Sequence, residues 1–153
     1  MSNLDEKLDI VLRKLEHFGP HTHRKAFFGA STALIIECKN TEDVCFLTFI
    51  KKKADGTWEK TTEGRVTAFS WSEMLGILKL LYKEINEFKA YHKPKSGDGY
   101  SIQAYWDKNS FLIGVPGYLK AFTENLEKGR FEVTNFTTFW EHLTNEKIDS
   151  TLK

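Results

Sequence analysis

Residues 44–85 read VCFLTFIKKKADGTWEKTTEGRVTAFSWSEMLGILKLLYKEI, and the folding of this stretch decides the rest. Val44 to Lys53 is rich in β-branched and aromatic residues and ends in lysines, the pattern of a strand that leaves a core for solvent. Asp55-Gly56 marks a turn. A second strand is predicted from Thr57 to Phe69, with Gly64 at a bulge. Ser70-Trp71-Ser72-Glu73 is a capping box, in which the Ser70 hydroxyl accepts from the Glu73 amide and the Glu73 carboxylate accepts from the Ser70 amide. Met74, Leu75, Leu78, Leu81 and Ile85 then recur at helical spacing. The unit is strand, basic turn, strand, capped amphipathic helix. Such a helix buries its apolar stripe on one face of the sheet and leaves the opposite face for something else.

Upstream, Leu4, Leu8, Val11, Leu12, Leu15 and Phe18 form one stripe, so residues 3–18 predict a helix that Gly19-Pro20 ends. His21 to Lys25 reads as a polar, basic hinge. Lys25 to Lys39 is strand-like and broken around Gly29 to Thr32, and Asn40 to Asp43 is a turn. Downstream, strands are expected over Phe88–Lys93, Tyr100–Trp106, Ser110–Val115 and Gly129–Val133. Tyr118 to Leu126 fits a strand or a short helix. Thr138-Phe139-Trp140-Glu141 is a second capping box. Gly64-Arg65 precedes the first capped helix as Gly129-Arg130 precedes the second. Both halves therefore read as strands followed by a Trp-containing helix, which predicts an internal duplication. The expected organisation is a helical appendage over residues 1–20 and a domain over 21–153, with repeats at 25–87 and 88–147.

A chain of 153 residues is long enough for a real core, and with 28% charged residues it reads as soluble and not disordered. No apolar run approaches the length of a membrane span, so no membrane partner is expected. The acidic, polar start MSNLDEKLDI is neither a secretory signal nor a transit peptide. Cys38 and Cys45 make no disulfide framework and read as reduced, buried thiols of a cytoplasmic protein. A net charge of +1 argues against a simple polybasic nucleic-acid binder, yet the excess is placed unevenly. Residues 24–108 carry 14 basic and 11 acidic groups, so the positive charge sits among the strands and turns.

Catalytic signatures are missing. The chain has no G-x-S-x-G elbow, P-loop, dinucleotide fingerprint or H-E-x-x-H. His21 and His23 with a cysteine are too loosely spaced to define a metal site. No catalytic residue, metal or cofactor is expected, and the protein reads as non-enzymatic.

The strands do carry a binding pattern. Because strand side chains alternate, Lys89, Tyr91 and Lys93 share a face, as do Trp58 and Lys60, and as do Ser101, Gln103 and Tyr105. Phe49 falls with Lys51 and Lys53, while Lys52 takes the other side. Cations interleaved with flat rings suit single-stranded nucleic acid, where lysines follow phosphates and bases stack on rings. The competing reading is that the aromatics are core and cross-strand pairs, with lysines blunting sheet edges.

From Phe46 to Leu81 the chain resembles the single-stranded-DNA-binding transcriptional coactivator family of positive cofactor four. The resemblance rests on a strand ending in basic residues (Phe46–Lys53), a polar turn, Gly64-Arg65, the short β segment Val66–Phe69, and the Ser-led, Trp- and Leu-containing helix from Ser70 to Leu81. Its continuation over residues 25–146 is similar to the related Whirly family, whose chains carry two strand–helix repeats. The Lys-Gly-Lys-Ala-Ala-Leu motif of plant Whirly proteins is absent, so their large assemblies are not implied. The resemblance implies an α+β fold, with curved antiparallel sheets backed by helices, a homodimer or pseudo-dimer, and binding of single strands without sequence preference. Service in DNA replication, recombination, repair or transcription follows from the same resemblance. Lys51, Lys52, Lys53, Lys60, Arg65, Lys89 and Lys93 are then expected to take the backbone, and Phe49, Trp58, Tyr91 and Tyr105 the bases. RNA binding, or a protein-interaction role without nucleic acid, are the alternatives.

Overall fold

The computed structural model describes Lys7 and residues 22–39, 42–95 and 97–151. The helix expected over residues 3–18, and with it the appendage of residues 1–20, lies outside the described residues but for Lys7. The fold is α+β, with two antiparallel sheets among the described residues. In the first, β1 (Thr22–Phe28), β2 (Thr32–Lys39), β3 (Val44–Lys51) and β4 (Arg65–Ser70) lie side by side in chain order, and α1 (Trp71–Leu81) follows. In the second, β5 (Glu87–His92), β6 (Tyr100–Asp107), β7 (Ser110–Val115), β8 (Tyr118–Asn125) and the short β9 (Arg130–Phe131) do the same before α2 (Glu132–Thr151). No described helix is long and apolar enough to cross a membrane.

Strand alternation sorts each sheet into two faces. Inward go Leu34, Ile36 and Cys38 of β2, Cys45, Leu47 and Phe49 of β3, and Phe69 of β4. Ile102 and Ala104, Phe111 and Ile113, and Phe122 do the same in the second sheet. These faces close with Met74, Ile77 and Leu80 of α1 and Phe136, Trp140 and Leu143 of α2 into one core. Each of the Leu, Ile, Met and Phe side chains contributes about 1.5–3 kcal/mol on burial. Trp rings bury well only if the indole N–H finds an acceptor. Trp140 donates to the Met74 carbonyl at 2.9 Å and Trp106 to the Leu80 carbonyl at 2.7 Å, which locks α1 against α2 and β6.

The first capping box forms as read. Ser70 Oγ accepts the Glu73 amide at 3.3 Å, and Glu73 Oε1 accepts the Ser70 amide at 2.9 Å. Other expectations change. Thr57 to Phe69 is not one strand, because the ladder reduces to the bridge Lys52–Trp58 before β4 begins at Arg65. Carboxylates there hold the backbone in local turns: Asp55 accepts the Thr57 amide at 2.9 Å, Glu63 that of Lys60 at 2.9 Å, and Glu59 that of Lys51 at 2.7 Å. Such bonds compete with sheet pairing. Gly64 then passes so near Phe49 that a Cβ would stand 2.2 Å from the Phe49 carbonyl oxygen.

The second capping box does not cap. Thr138 lies inside α2 and its hydroxyl donates to the Thr134 carbonyl at 2.9 Å. The helix starts earlier because Glu124 of β8 accepts the amides of Val133 and Thr134, both at 3.1 Å. The supposed hinge is no hinge either, since Thr22 to Lys25 pair with Lys39 to Ile36 as part of β1. Tyr118 to Asn125 resolves as strand, paired along β7. Finally, β5 ends at His92, so Lys93 lies just past the strand that carries Lys89 and Tyr91.

Candidate nucleic-acid interface

The connection from β3 to β4 folds into a small basic lobe. Residues 51–65 hold Lys51, Lys52, Lys53, Lys60 and Arg65 against Asp55, Glu59 and Glu63, so the lobe is positive on balance. Consecutive lysines diverge, as strand geometry requires. Lys51 reaches toward the second sheet, with its ammonium 4.3 Å from the centre of the Tyr118 ring, while Lys52 lies over Trp58 at 5.8 Å. Lys53 is paired with Glu63 at 3.1 Å. Arg65 and Lys60 are exposed.

Those acids are tuned by the turns they hold. The Thr57 hydroxyl and amide donate to Asp55 and keep its carboxyl below the ordinary Asp value. The Lys60 amide, then the Lys53 ammonium, do the same for Glu63. Tyr118 goes the other way: desolvation raises its hydroxyl, and Glu59, whose carboxylate accepts from it at 3.2 Å, adds to the effect.

The rings divide. Phe49 is fully buried in the core, with no ring face open to a base, so the stacking role expected of it does not hold. Trp58 is half-buried on a satellite cluster of Ala33, Ile35 and Ile50, edge to face with Phe28 at 5.3 Å. Tyr91 is 66% exposed on the outward face of the second sheet, beside Lys89. Register places Lys89 opposite Gln103, Tyr91 opposite Ser101, and Glu87 opposite Tyr105, so the β5–β6 half of this face is polar and aromatic, while Leu112 and Leu119 continue it on β7 and β8. The loop after β5 folds back on Tyr91, close enough that a Cβ on Gly99 would meet its hydroxyl at 1.9 Å.

A cleft lies between Arg65 of the lobe and the loop that packs on Tyr91. It has a volume of about 520 Å³ and is walled by Gly64, Arg65 and Val66, by Asp98, Gly99 and Tyr100, and by Val115 and Pro116. One end is the basic lobe and the other the loop that packs on Tyr91. A larger hollow, about 830 Å³, opens between Trp106, β8 and α2, but Glu124, Glu127 and Glu141 line it against the single cation Lys83. Its charge opposes phosphate.

A polar chain runs behind the cleft, and no local pattern in the sequence announces it. Tyr100 donates to Thr67 at 3.1 Å, Thr67 meets His92 Nδ1 at 3.2 Å, and His92 Nε2 meets Glu73 at 2.5 Å. Hydroxyl, imidazole and carboxylate in series can activate a nucleophile. Here Thr67 is buried and already accepts from Tyr100, so the chain fastens β4, α1, β5 and β6 together. Lys120 is the other polar group that the pattern of residues missed. It is buried on the inward face over Phe122 at 4.2 Å, and desolvation holds its ammonium below the usual lysine value, with Glu132 opposing. Compared with known families and curated proteins, the chain matches no family model and no curated sequence.

Proposed function

We propose that the protein binds single-stranded DNA without sequence preference and without catalysis, as a Whirly-like member of the coactivator-related fold. The observation that carries this reading is a cleft walled on one side by Arg65 of the basic lobe and on the other by Gly99, whose loop packs on Tyr91 of the second sheet. Along that path Lys51, Lys53, Lys60 and Arg65 meet phosphates first, and Lys93 and Lys89 meet them farther on. Tyr91 and Tyr105 offer ring faces for bases, with Trp58 at the margin beside Lys52. Strands in chain order followed by a helix, four in the first sheet and five in the second, support the duplicated organisation. DNA replication, recombination, repair or transcription is the setting in which such an activity serves.

The test is a fluorescence titration with oligo-dT at two salt concentrations. Log affinity is expected to fall linearly with log salt, by about 0.7 per phosphate neutralised. An affinity indifferent to salt rejects the electrostatic track. Competition by a matched RNA strand separates DNA from RNA, because only RNA brings a 2′-hydroxyl.

The first sheet favours a second role. Its outward face exposes Phe28, Phe46 and Val66 beside Ile35 and Thr48, and carries fewer cations than rings and aliphatics. Apolar residues clustered on one open face mark protein contact. We assign this face to a second copy of the chain, which makes the protein a homodimer.

A further inference from the structure

Away from the cleft, side chains from the two ends of the described chain converge. His23 stands on β1, the edge strand of the first sheet, in register with Cys38 on the inward face. His142 and Glu146 lie four residues apart on α2, so both leave the same side of the helix. Glu146 Oε2 is 2.6 Å from His23 Nε2 and 3.4 Å from His142 Nε2. The imidazoles meet edge to face, with centroids 4.9 Å apart. One donor atom from each of the three residues lies within 4.8 Å of the other two.

We propose that His23, His142 and Glu146 bind a borderline divalent transition ion, with Zn²⁺ the best fit and water in the remaining position. Two imidazoles and one carboxylate are a donor set that zinc takes with an open fourth site. Magnesium and calcium call for oxygen ligands instead. A tetrahedral ion with bonds of about 2.0–2.1 Å separates its donors by about 3.3 Å. The His142–Glu146 pair already has that separation, and the His23–Glu146 pair reaches it by opening less than about 1 Å. His142 is 54% exposed and the other two about a fifth, which gives the ion a way in and the water room. Both rings face the site through Nε2, so each keeps its proton on Nδ1 when coordinated. Lys25, on the same face, is turned to the rings of Phe27 and Phe139, at 5.3 and 5.5 Å. A bound ion clamps α2 to β1, the edge of the first sheet among the described residues.

The experiment uses the full chain, stripped of metal by chelator. Zn²⁺ is titrated by calorimetry, and Co²⁺ by its visible d–d absorption, in the wild type, His142→Ala and Glu146→Gln. Far-UV circular dichroism confirms that the variants fold; His142 is exposed enough that its truncation leaves the core intact. The wild type is expected to take one equivalent of either ion, with the strong cobalt bands of a four-coordinate site, and to melt higher with zinc. Each variant is expected to bind about 100-fold more weakly or worse, since losing a ligand exceeds the loss from an outer partner. Absence of saturable uptake by the wild type, or undiminished affinity in either variant, overturns the proposal.

Discussion

Phe49 and Trp58 show how much a single residue's role depends on what lies behind it. Both are aromatic, both sit beside lysines, and alternation alone puts either on a binding face. Phe49 packs among Leu34, Leu47 and Phe69 in the core, so Phe49→Ala is expected to cost about 3–5 kcal/mol in urea unfolding. Trp58 is only half-buried on a satellite cluster, and Trp58→Ala is expected to cost roughly half as much. If the DNA track includes its ring, the same variant loses about 1–3 kcal/mol of oligo-dT binding, which Phe49 variants that still fold do not. Asp55 and Glu63 act at this scale through pH. Both carboxyls are lowered in the folded state, so their contribution is present above the ordinary carboxylate range and is lost as pH falls through the folded values. The basic lobe is therefore expected to loosen below about pH 4, read as a change in Trp58 fluorescence while far-UV circular dichroism holds.

The start of α2 separates a local signal from a tertiary one at the scale of the element. A capping box at Thr138 predicts that Thr138→Ala costs about 1 kcal/mol. In the fold Thr138 is mid-helix, where Ala is the better helix former, and the change is expected to stay within about 0.5 kcal/mol. Glu124→Ala instead leaves the Val133 and Thr134 amides without their acceptor, at an expected cost of about 1–2 kcal/mol. Hydrogen exchange of those amides should quicken in Glu124→Ala and not in Thr138→Ala. Equal protection in both variants would refute the distant cap. α1 differs because its cap, Ser70 with Glu73, is contiguous in sequence. Its last turn closes on Lys83 in the left-handed region, φ 62°, with its ammonium 4.6 Å from the centre of the Trp106 ring. The cation–π contact, about 0.5–1 kcal/mol, offsets much of the roughly 1–2 kcal/mol that a non-glycine residue pays there.

For the whole molecule, two sheets that share one core leave two outward faces, and these differ in chemistry. The second sheet offers Lys89, Tyr91, Ser101, Gln103 and Tyr105, while the first offers Phe28, Phe46 and Val66. Phe46 is 39% exposed and lies outside the cleft, so Phe46→Lys changes surface more than core. Light scattering is expected to report a dimer for the wild type and a monomer for this variant, with oligo-dT still bound by each monomer. A wild type that is monomeric at micromolar concentration removes the dimer and leaves the apolar face to another protein.

The sequence by itself determined what depends on neighbours along the chain. The Ser70 cap, the helix after it, and the alternation that puts Ser101, Gln103 and Tyr105 opposite Ile102 and Ala104 all follow from spacings of two to four residues. Those spacings are set by backbone geometry and survive in any tertiary setting. Only the tertiary structure decided that Phe49 is sealed, that Thr57 to Glu63 leaves the ladder, and that Glu124 begins α2. It alone placed His23 beside Glu146, 123 residues away. A contact between distant segments leaves no period in the sequence, because the chain between them is free to be of any length and composition. Its partners are chosen by the packing of the shared core, which is formed jointly by both sheets and both helices.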